Sequence, residues 1–203
     1  LKSVEGTGVV IDSRKVEPGF LFAAVKGERV DGHSFIPAVF AKGAACVLCE
    51  DAPEHPAGPY IQVASTLEAL KDLAAYYRST LTIPVVGISG SVGKTSTKEM
   101  IASILGQHFH VLKTEGNFNN EIGLPLTIFR IREEHEAAVL EMGISDFGEM
   151  TRLARMAKPT VCVLTNIGLC HLENLKTRDG ILKAKTEMFE QAMHGAQIIV
   201  NGD

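Results

Sequence analysis

The chain reads Val85-Val86-Gly87-Ile88-Ser89-Gly90-Ser91-Val92-Gly93-Lys94-Thr95-Ser96 near its middle. The β-branched start of this stretch predicts a strand, and the apolar spacing that follows predicts a helix from Thr95 to Leu105. Between them lies a glycine turn. Backbone N–H groups of such a turn and the positive end of the helix converge on an anion, and a lysine adds charge. This order of elements predicts a phosphate-binding loop.

The spacing of the glycines is tighter than in the generic phosphate loop. Ile88 stands where that pattern has its first glycine, which leaves Gly90-x-x-Gly93-Lys94-Thr95. The strand–loop–helix context favours nucleotide binding over a simple glycine turn. We expect the hydroxyl of Thr95 to bind the Mg²⁺ that accompanies a nucleotide, and the phosphates to be held by Gly90, Ser91, Val92, Gly93, Lys94, Thr95 and Ser96.

Composition indicates an ordinary soluble globular protein. The chain has 203 residues, of which 45% are hydrophobic and 22% are charged. It is therefore long enough and apolar enough to form one large domain or two small ones. No apolar run approaches the roughly 20 residues that span a bilayer, and no signal peptide opens the chain. A net charge of −4 argues against a nucleic-acid partner. The start at Leu1 and the stop just after Val200 suggest a piece of a longer protein.

The four cysteines indicate a reducing compartment rather than a disulfide scaffold. Cys46 and Cys49 form a C-x-x-C, but they fall in a predicted strand, where positions three apart face opposite sides. A shared metal or a disulfide is therefore disfavoured. Cys162 and Cys170 are interpreted as small buried hydrophobic residues.

Strand and helix patterns divide the chain into residues 1–81 and 82–203. In the first part a capping box, Ser65 to Glu68, opens a helix, and Pro84 follows its end. From Val85 onward strands and helices alternate, which predicts an α/β fold with a mainly parallel sheet and helices on both faces. The predicted strands are 8–11, 21–25, 46–49, 60–63, 85–88, 111–112, 137–140, 161–164 and 198–200. The predicted helices are 35–40, 65–77, 95–105, 122–129, 148–157 and 181–191.

Several polar residues follow predicted strands, at the edge where parallel sheets bind ligands. Glu141 ends an apolar strand, as a metal-binding acid or as a solvated side chain. His171 follows another strand, as a ligand or as a structural histidine. Lys185 lies on a predicted helix, where a solvated face is the default. The asparagine-rich loop 115–123 either donates to a polar substrate or forms a turn with left-handed asparagines.

Together these motifs resemble those of the Mur ligases, in order and over essentially the whole chain. The residues that carry the resemblance in the second part are Gly90–Ser96, Gly116–Gly123, Glu141-Met142-Gly143, Thr165–Gly168 with His171-Leu172-Glu173, and Gly180–Lys185. In the first part, Asp12-Ser13-Arg14, Gly19-x-Leu21-Phe22-x-Ala24 and Gly27–His33 look like the family's uridine-nucleotide domain.

The resemblance implies an ATP-dependent amide ligase of peptidoglycan precursor synthesis in the bacterial cytoplasm. The asparagine-rich loop looks most like the member that adds D-alanyl-D-alanine to UDP-N-acetylmuramoyl tripeptide through an acyl phosphate. The sister ligase that adds the third amino acid to UDP-N-acetylmuramoyl dipeptide is one alternative, and the folylpolyglutamate synthetases share the short loop. A phosphate-loop regulatory ATPase or a binding module is an alternative from a different class.

The resemblance also implies roles for individual residues. Lys94, Glu141, His171 and Lys185 are expected to be catalytic, with ATP and two Mg²⁺ ions. The second ion would be held by Glu141 and His171, and Lys185 would carry a CO₂-derived carbamate. A third domain that the family needs is absent here, so we expect this chain to bind nucleotides, as a monomer, without completing ligation. The expected substrate contacts are Ile11, Ser13, Arg14, Glu28, Arg29, Val30, Asn119 and Asn120.

Overall fold

The computed structural model describes residues 6–27 and 30–202, and the chain divides into two compact units, Leu1–Leu73 and Ala74–Asp203. Both units are built on parallel sheets with helices, so the predicted α/β class is confirmed. Glu28 and Arg29, which were expected to contact a uridine nucleotide, lie outside the described residues.

The first unit contains a four-stranded sheet whose spatial order, β1-β2-β3-β4, is the order of the sequence. All three pairings are parallel. A single-turn helix, α1, connects β2 to β3, and short 3-10 turns at Ser13–Lys15 and Gly32–Phe35 precede β2 and α1. The bounds are β1 Gly8–Val10, β2 Phe20–Ala23, α1 Ile36–Ala41, β3 Cys46–Cys49 and β4 Tyr60–Gln62.

Strand β3 forms the centre of this unit's core. All four of its residues are buried, and Val47 packs with Phe22 of β2 and Val39 of α1. Cys46 and Cys49 lie on this strand, as predicted, and are free thiols. Burial raises the pKa of both thiols, which keeps them protonated.

Helix α2, Thr66–Ser79, follows β4. Ser65 Oγ accepts the backbone N–H of Glu68 at 3.3 Å, which is one half of the predicted capping box. The boundary between the two units falls within this helix, between Leu73 and Ala74. The last turn of the helix therefore belongs to the second unit. There the Tyr77 hydroxyl donates to the carbonyl of Ile131 at 2.6 Å, and Arg78 Nε donates to the carbonyl of Ala157 at 2.9 Å. The expected boundary between residues 81 and 82 lies beyond the end of α2 and stays a prediction.

The second unit contains a five-stranded parallel sheet with the order β6-β7-β5-β8-β9. Its strands are β5 Val85–Ser89, β6 Val111–Lys113, β7 Ala137–Glu141, β8 Val161–Leu164 and β9 Gln197–Val200. Its helices are α3 Lys94–Leu105, α4 Gly123–Ile128, α5 Glu149–Ala157, α6 Leu172–Leu175 and α7 Arg178–Gln191. The short α6 was not predicted, and α7 begins earlier than expected because Thr177 Oγ1 accepts the Gly180 N–H at 3.0 Å.

Strand order places β5 at the centre of this sheet. The chain leaves β5 toward β6 on one side, and β7 leads to β8 across β5 to the other side. Helix α3 packs on β5, β6 and β7, whereas α5 packs on α4 and α7. Right-handed crossovers put these two groups of helices on opposite faces. The carboxyl end of β5 therefore opens between loops that run in opposite directions. None of the described helices is long and apolar enough to cross a bilayer.

Candidate active site

The glycine turn after β5 has a backbone that only glycine adopts easily. Gly90 has φ 148° and Gly93 has φ 79°. A Cβ on Gly90 would lie 1.9 Å from Thr165 Oγ1, so a side chain is excluded there by space as well as by conformation. The residue at position 90 thus allows the turn to approach the loop after β8.

Hydrogen bonds fasten the turn to the loop after β8. Ser91 Oγ donates to the Gly168 carbonyl at 3.0 Å and accepts the Gly168 N–H at 2.9 Å. The Val92 N–H donates to Asn166 Oδ1 at 3.1 Å, and Thr165 Oγ1 donates to the Val92 carbonyl at 2.7 Å. The turn is therefore held in shape by the protein itself.

Lys94 begins α3, and its ammonium donates to the carbonyl of Gly90 at 2.9 Å. The lysine thus folds back over the turn, next to the first N–H groups of a 12-residue helix. Thr95 and Ser96 follow and are exposed. Helix end, turn and ammonium are features that favour the binding of a phosphate group.

Glu141 closes the site from the neighbouring strand. It is the last residue of β7 and is only 2% exposed, so the solvated alternative does not apply. Its Oε2 accepts the Thr95 hydroxyl at 2.9 Å, and its Oε1 accepts Asn119 Nδ2 at 2.8 Å. The carbonyl of Asn119 accepts the Gly143 N–H at 2.9 Å, so the asparagine-rich loop is attached to the end of β7 at two points.

These oxygens suit a hard divalent cation. The Thr95 hydroxyl and the Glu141 carboxylate are the ligand types that Mg²⁺ prefers, and this ion usually takes only one or two carboxylates plus phosphate oxygens. Within residues 6–27 and 30–202 there is no cluster of three His, Cys, Asp or Glu side chains that would form an all-protein metal cage. The residues present therefore fit a cation that arrives with a nucleotide.

Lys185 lies on α7 and is 1% exposed, which contradicts the default of a solvated helical lysine. Burial lowers its pKa, and the positive charge of Lys94 lowers it further, while Cys170 acts in the opposite direction. No acceptor within the described part of the chain receives a hydrogen bond from its amine. A lysine that is buried as a whole residue near a phosphate loop is an uncommon arrangement.

His171 is exposed and begins α6 with φ 52°, a left-handed conformation. Its neighbour Cys170 donates its thiol to Ser91 Oγ at 3.2 Å, so this segment lies beside the phosphate loop. The described contacts do not join His171 to Glu141, and the expected shared ion stays a prediction.

Asn120 has a local structural contact. Its Oδ1 accepts the N–H groups of Ile122 at 3.2 Å and Gly123 at 2.8 Å, at the start of α4. These hydrogen bonds agree with a turn, but the left-handed asparagines expected for it are wrong, because no asparagine of this described loop has a positive φ. Asn119 is the asparagine that contacts the site.

In the first unit, Arg14 forms a bidentate ion pair with Asp12, with Nε–Oδ1 at 2.9 Å and Nη2–Oδ2 at 2.8 Å. The Arg14 hydrogen bonds lower the pKa of Asp12 to about 2. The carbonyl of Ser13 accepts the Lys42 ammonium at 2.8 Å, and Val30 is exposed. Arg14, an expected substrate contact, is therefore engaged in an internal ion pair.

Sequence reasoning missed two buried residues beside the site. Lys98 and Thr114 are 1% and 0% exposed, and Lys98 Nζ donates to the Thr114 carbonyl at 2.8 Å. A signal was available, because Lys98 occupies the same helical face as Ile101 and Leu105. A lysine at core spacing indicates a specific partner.

Two family models match the chain. The Mur ligase middle domain matches residues 88–203, and the Mur ligase family catalytic domain matches residues 5–78. The chain belongs to the Mur ligase family.

Two curated relatives of this Mur ligase chain share a name. The chain is 46% identical over 198 residues to the UDP-N-acetylmuramoyl-tripeptide–D-alanyl-D-alanine ligase of Bacillus subtilis (strain 168), and the match covers 97% of this chain and 43% of the relative. To the enzyme of that name from Escherichia coli (strain K12) it is 39% identical over 195 residues, covering 96% and 43%. The chain thus spans less than half the length of these relatives.

Solved structures agree with this similarity. MurF ligase from Thermotoga maritima in complex with ADP superposes with a TM-score of 0.90 at 36% identity, covering 100% of this Mur ligase chain and 47% of that one. MurF from Acinetobacter baumannii gives a TM-score of 0.90 at 37% identity, covering 96% and 43%. The architecture of both units is therefore that of the family.

Proposed function

We propose that the full-length protein is an ATP-dependent ligase that adds D-alanyl-D-alanine to UDP-N-acetylmuramoyl tripeptide, giving ADP and phosphate. The observation that carries this proposal is the contact of Glu141 with both Thr95 and Asn119. It joins the phosphate loop to the asparagine-rich loop in one site. Relatives at up to 46% identity carry the name of this activity, and a structural neighbour holds ADP.

The reaction needs little covalent chemistry from the protein. The substrate's peptide carboxylate attacks the γ-phosphorus of ATP, the bond to ADP breaks, and an acyl phosphate forms. The amine of D-alanyl-D-alanine then attacks the acyl carbon, loses a proton, and phosphate leaves. Both steps bring anions together, so positioning and charge neutralisation are the main tasks.

The residues of the second unit divide these tasks. Lys94 and the turn amides bind the β- and γ-phosphates, and Thr95 and Glu141 hold the metal. Mg²⁺, when bound, neutralises the charge that develops on the transferred phosphoryl group. Asn119 orients the Glu141 carboxylate through its amide at 2.8 Å. His171 contributes to a second ion together with Glu141 in this proposal.

Lys185 carries a carbamate in this proposal. Its burial and lowered pKa favour the neutral amine, which is the form that adds to CO₂ with release of one proton. The product would give this side chain a negative charge, which could serve a bound Mg²⁺. Lys185→Ala in the full-length protein should lower ligation by about 10- to 100-fold, the size that losses of supporting groups at metal sites have. Added formate or acetate should restore part of the rate, and unchanged activity without rescue would end the idea.

Substrate residues belong to the same proposal. Ile11, Ser13, Arg14, Glu28, Arg29 and Val30 are proposed to bind the uridine nucleotide, and Asn119 and Asn120 to face the substrate near the metal. The pairing of Arg14 with Asp12 means that an anion would compete with an internal partner. A monomer acting in the bacterial cytoplasm remains our expectation.

The decisive experiment completes the chain and measures ATP consumption with UDP-N-acetylmuramoyl tripeptide and a panel of amino acids and dipeptides. We expect ADP release to require the tripeptide substrate and D-alanyl-D-alanine together. Dependence on UDP-N-acetylmuramoyl dipeptide and a diamino acid would instead identify the sister ligase. ATP turnover that is indifferent to any nucleotide sugar would favour a regulatory ATPase. The Lys94→Ala variant serves as the inactive control.

A further inference from the structure

We propose that Lys98 and Thr114 are positioning residues that set the place of the Glu141 carboxylate. This inference deepens the proposed function, because it rests on Glu141 as the metal-binding acid. Neither residue touches the phosphate loop through a described contact. They act through the strand end that carries Glu141.

Lys98 is a buried cation one turn after the start of α3. Its side chain is 2% exposed, and its ammonium has two acceptors, the Thr114 carbonyl at 2.8 Å and Glu99 Oε1 at 3.0 Å. Burying an ammonium is costly unless it is paired, so a leucine or methionine would be cheaper if only packing were needed. The lysine instead provides a directed donor between α3 and the end of β6.

Thr114 replaces a missing strand partner for Glu141. Strand β6 ends at Lys113, opposite Val139 of β7, although β7 continues to Glu141. The Glu141 N–H would therefore lack an acceptor on this side. Thr114 Oγ1 accepts it at 3.0 Å, while the Thr114 N–H donates to the Val139 carbonyl at 3.0 Å. One residue thus completes the ladder with both its backbone and its side chain.

These contacts form a continuous path from α3 to the acid. Lys98 fixes the Thr114 carbonyl, Thr114 fixes the Glu141 backbone, and the Glu141 carboxylate meets Thr95. Thr95 lies on α3 only one turn from Lys98. The helix therefore holds both ends of the path. Covalent bonds and hydrogen bonds along the path set the distance between the Thr95 hydroxyl and the Glu141 carboxylate.

The variants must separate positioning from stability. Lys98→Met keeps the length of the side chain and removes the donor. Lys113→Met is the matched control, because the Lys113 ammonium also pairs with Glu99 but its side chain is 43% exposed, and the described donor to the Thr114 carbonyl is Lys98. Thr114→Val removes the acceptor for the Glu141 N–H, and Thr114→Ser retains it. Full-length proteins are used throughout, with circular dichroism and melting temperature as folding checks.

The principal readout is binding of fluorescent ADP at a series of Mg²⁺ concentrations, which separates the apparent affinity for Mg²⁺ from that for nucleotide. Lys98→Met and Thr114→Val should weaken Mg²⁺ by about 10- to 100-fold, the usual size for outer-shell partners, with less than about threefold change in metal-free ADP affinity. Lys113→Met and Thr114→Ser should behave like wild type.

Unaltered Mg²⁺ dependence in folded Lys98→Met and Thr114→Val proteins would overturn the inference. Equal losses of Mg²⁺ and metal-free ADP affinity would also overturn it, since general loosening of the site acts on both. If Lys98→Met does not fold, Thr114→Val against Thr114→Ser decides the question. Failure of the proposed function is distinguishable from failure of this inference. In the former case the wild-type protein itself would show no ligation, while the Mg²⁺ dependence of ADP binding could still be compared between wild type and variants.

Discussion

The two sheets of this chain differ in the order of their strands. The first runs β1-β2-β3-β4 as in the sequence, and the second runs β6-β7-β5-β8-β9 with its earliest strand in the centre. All pairings in both are parallel. A sheet that grows in one direction has no point where neighbouring loops part, whereas the second sheet has one at the end of β5. Parallel architecture alone therefore does not provide a phosphate loop between diverging connections.

The contacts at the two sheets reflect this difference. At the end of β5, the turn, the β8 loop and the last residue of β7 meet, as in the Thr95–Glu141 and Ser91–Gly168 hydrogen bonds. In the first unit, charged side chains near the strand ends are paired with one another, as Arg14 is with Asp12 and Lys26 is with Asp51 at 2.9 Å. The second site presents a free helix end, and the first presents neutralised pairs.

The largest effect is expected from Lys94→Ala, which should weaken ATP binding by more than about a hundred-fold, since truncating a charge that pairs with a buried charge costs several kcal/mol. The first unit should stay folded. Lys42→Ala is the control from the other sheet, because Lys42 also donates to a backbone carbonyl, that of Ser13. Isothermal titration with ATP and circular dichroism would measure both. Equal losses in the two variants would contradict the contrast between the sheets.

A second prediction concerns what the sheets share, which is a dry interior. Burial raises the pKa of Cys162 from 9.0 to about 11, and also raises the pKa values of Cys46 and Cys49. At pH 8 the thiolate fraction of Cys162 falls by about a hundred-fold relative to the ordinary value. We expect a thiol reagent to label half-buried Cys170 first. Mass spectrometry would identify the labelled cysteine. Rapid labelling of Cys46 in the native protein would show that the first sheet opens.

A smaller loss, about tenfold in nucleotide affinity, is expected from Gly90→Ala, because strained φ values cost about 1–3 kcal/mol and the new methyl group meets Thr165. Gly195→Ala is the matched variant. Its φ is 81°, yet a Cβ there meets nothing within 4 Å. It should lower the melting temperature without changing nucleotide affinity. Similar affinity in both variants would mean that the approach of the turn to the β8 loop is unimportant.

The smallest effect is expected in the first unit, at the exposed Asp12–Arg14 pair. Because the pKa of Asp12 is lowered from 3.8 to about 2, the pair stabilises the fold above pH 4 and loses this effect as the pH falls toward 2. Arg14→Gln should therefore lower the urea midpoint slightly at pH 6 and not at pH 2. Lys15→Gln removes the same charge without the hydrogen bonds and should show less. A difference that grows in acid would have the wrong sign.

The sequence predicted the elements of the second unit well, because period and composition are local properties. The strand–turn–helix from Val85 to Leu105 and the acid at Glu141 are present where expected. Strand order was not predictable, since it depends on which helix covers which face. Helix α6 was not predicted because it has only four residues and is preceded by His171 in a left-handed conformation.

Contacts between distant residues were the other limit. Nothing in the run around Lys185 distinguishes a buried lysine from a solvated one, because the groups that interact with it, Lys94 and Cys170, are distant in the sequence. The same holds for Asn119 and Asn120, which are adjacent and chemically identical. One reaches Glu141 and the other caps α4, and only the direction of the loop separates them.

The last turn of α2 has a practical consequence for anyone who wishes to study the nucleotide-binding half alone. Arg78 Nη2 and Nε donate to the carbonyls of Lys158 and Ala157, at 3.1 and 2.9 Å, where α5 ends. A cut between residues 81 and 82 would discard the Arg78 guanidinium. The carbonyls of Ala157 and Lys158 would then lose this donor. Starting the excised half at Ala74 retains the hydrogen bonds of Arg78. Comparing the yields of folded protein from the two versions would reveal how much these hydrogen bonds contribute to its stability.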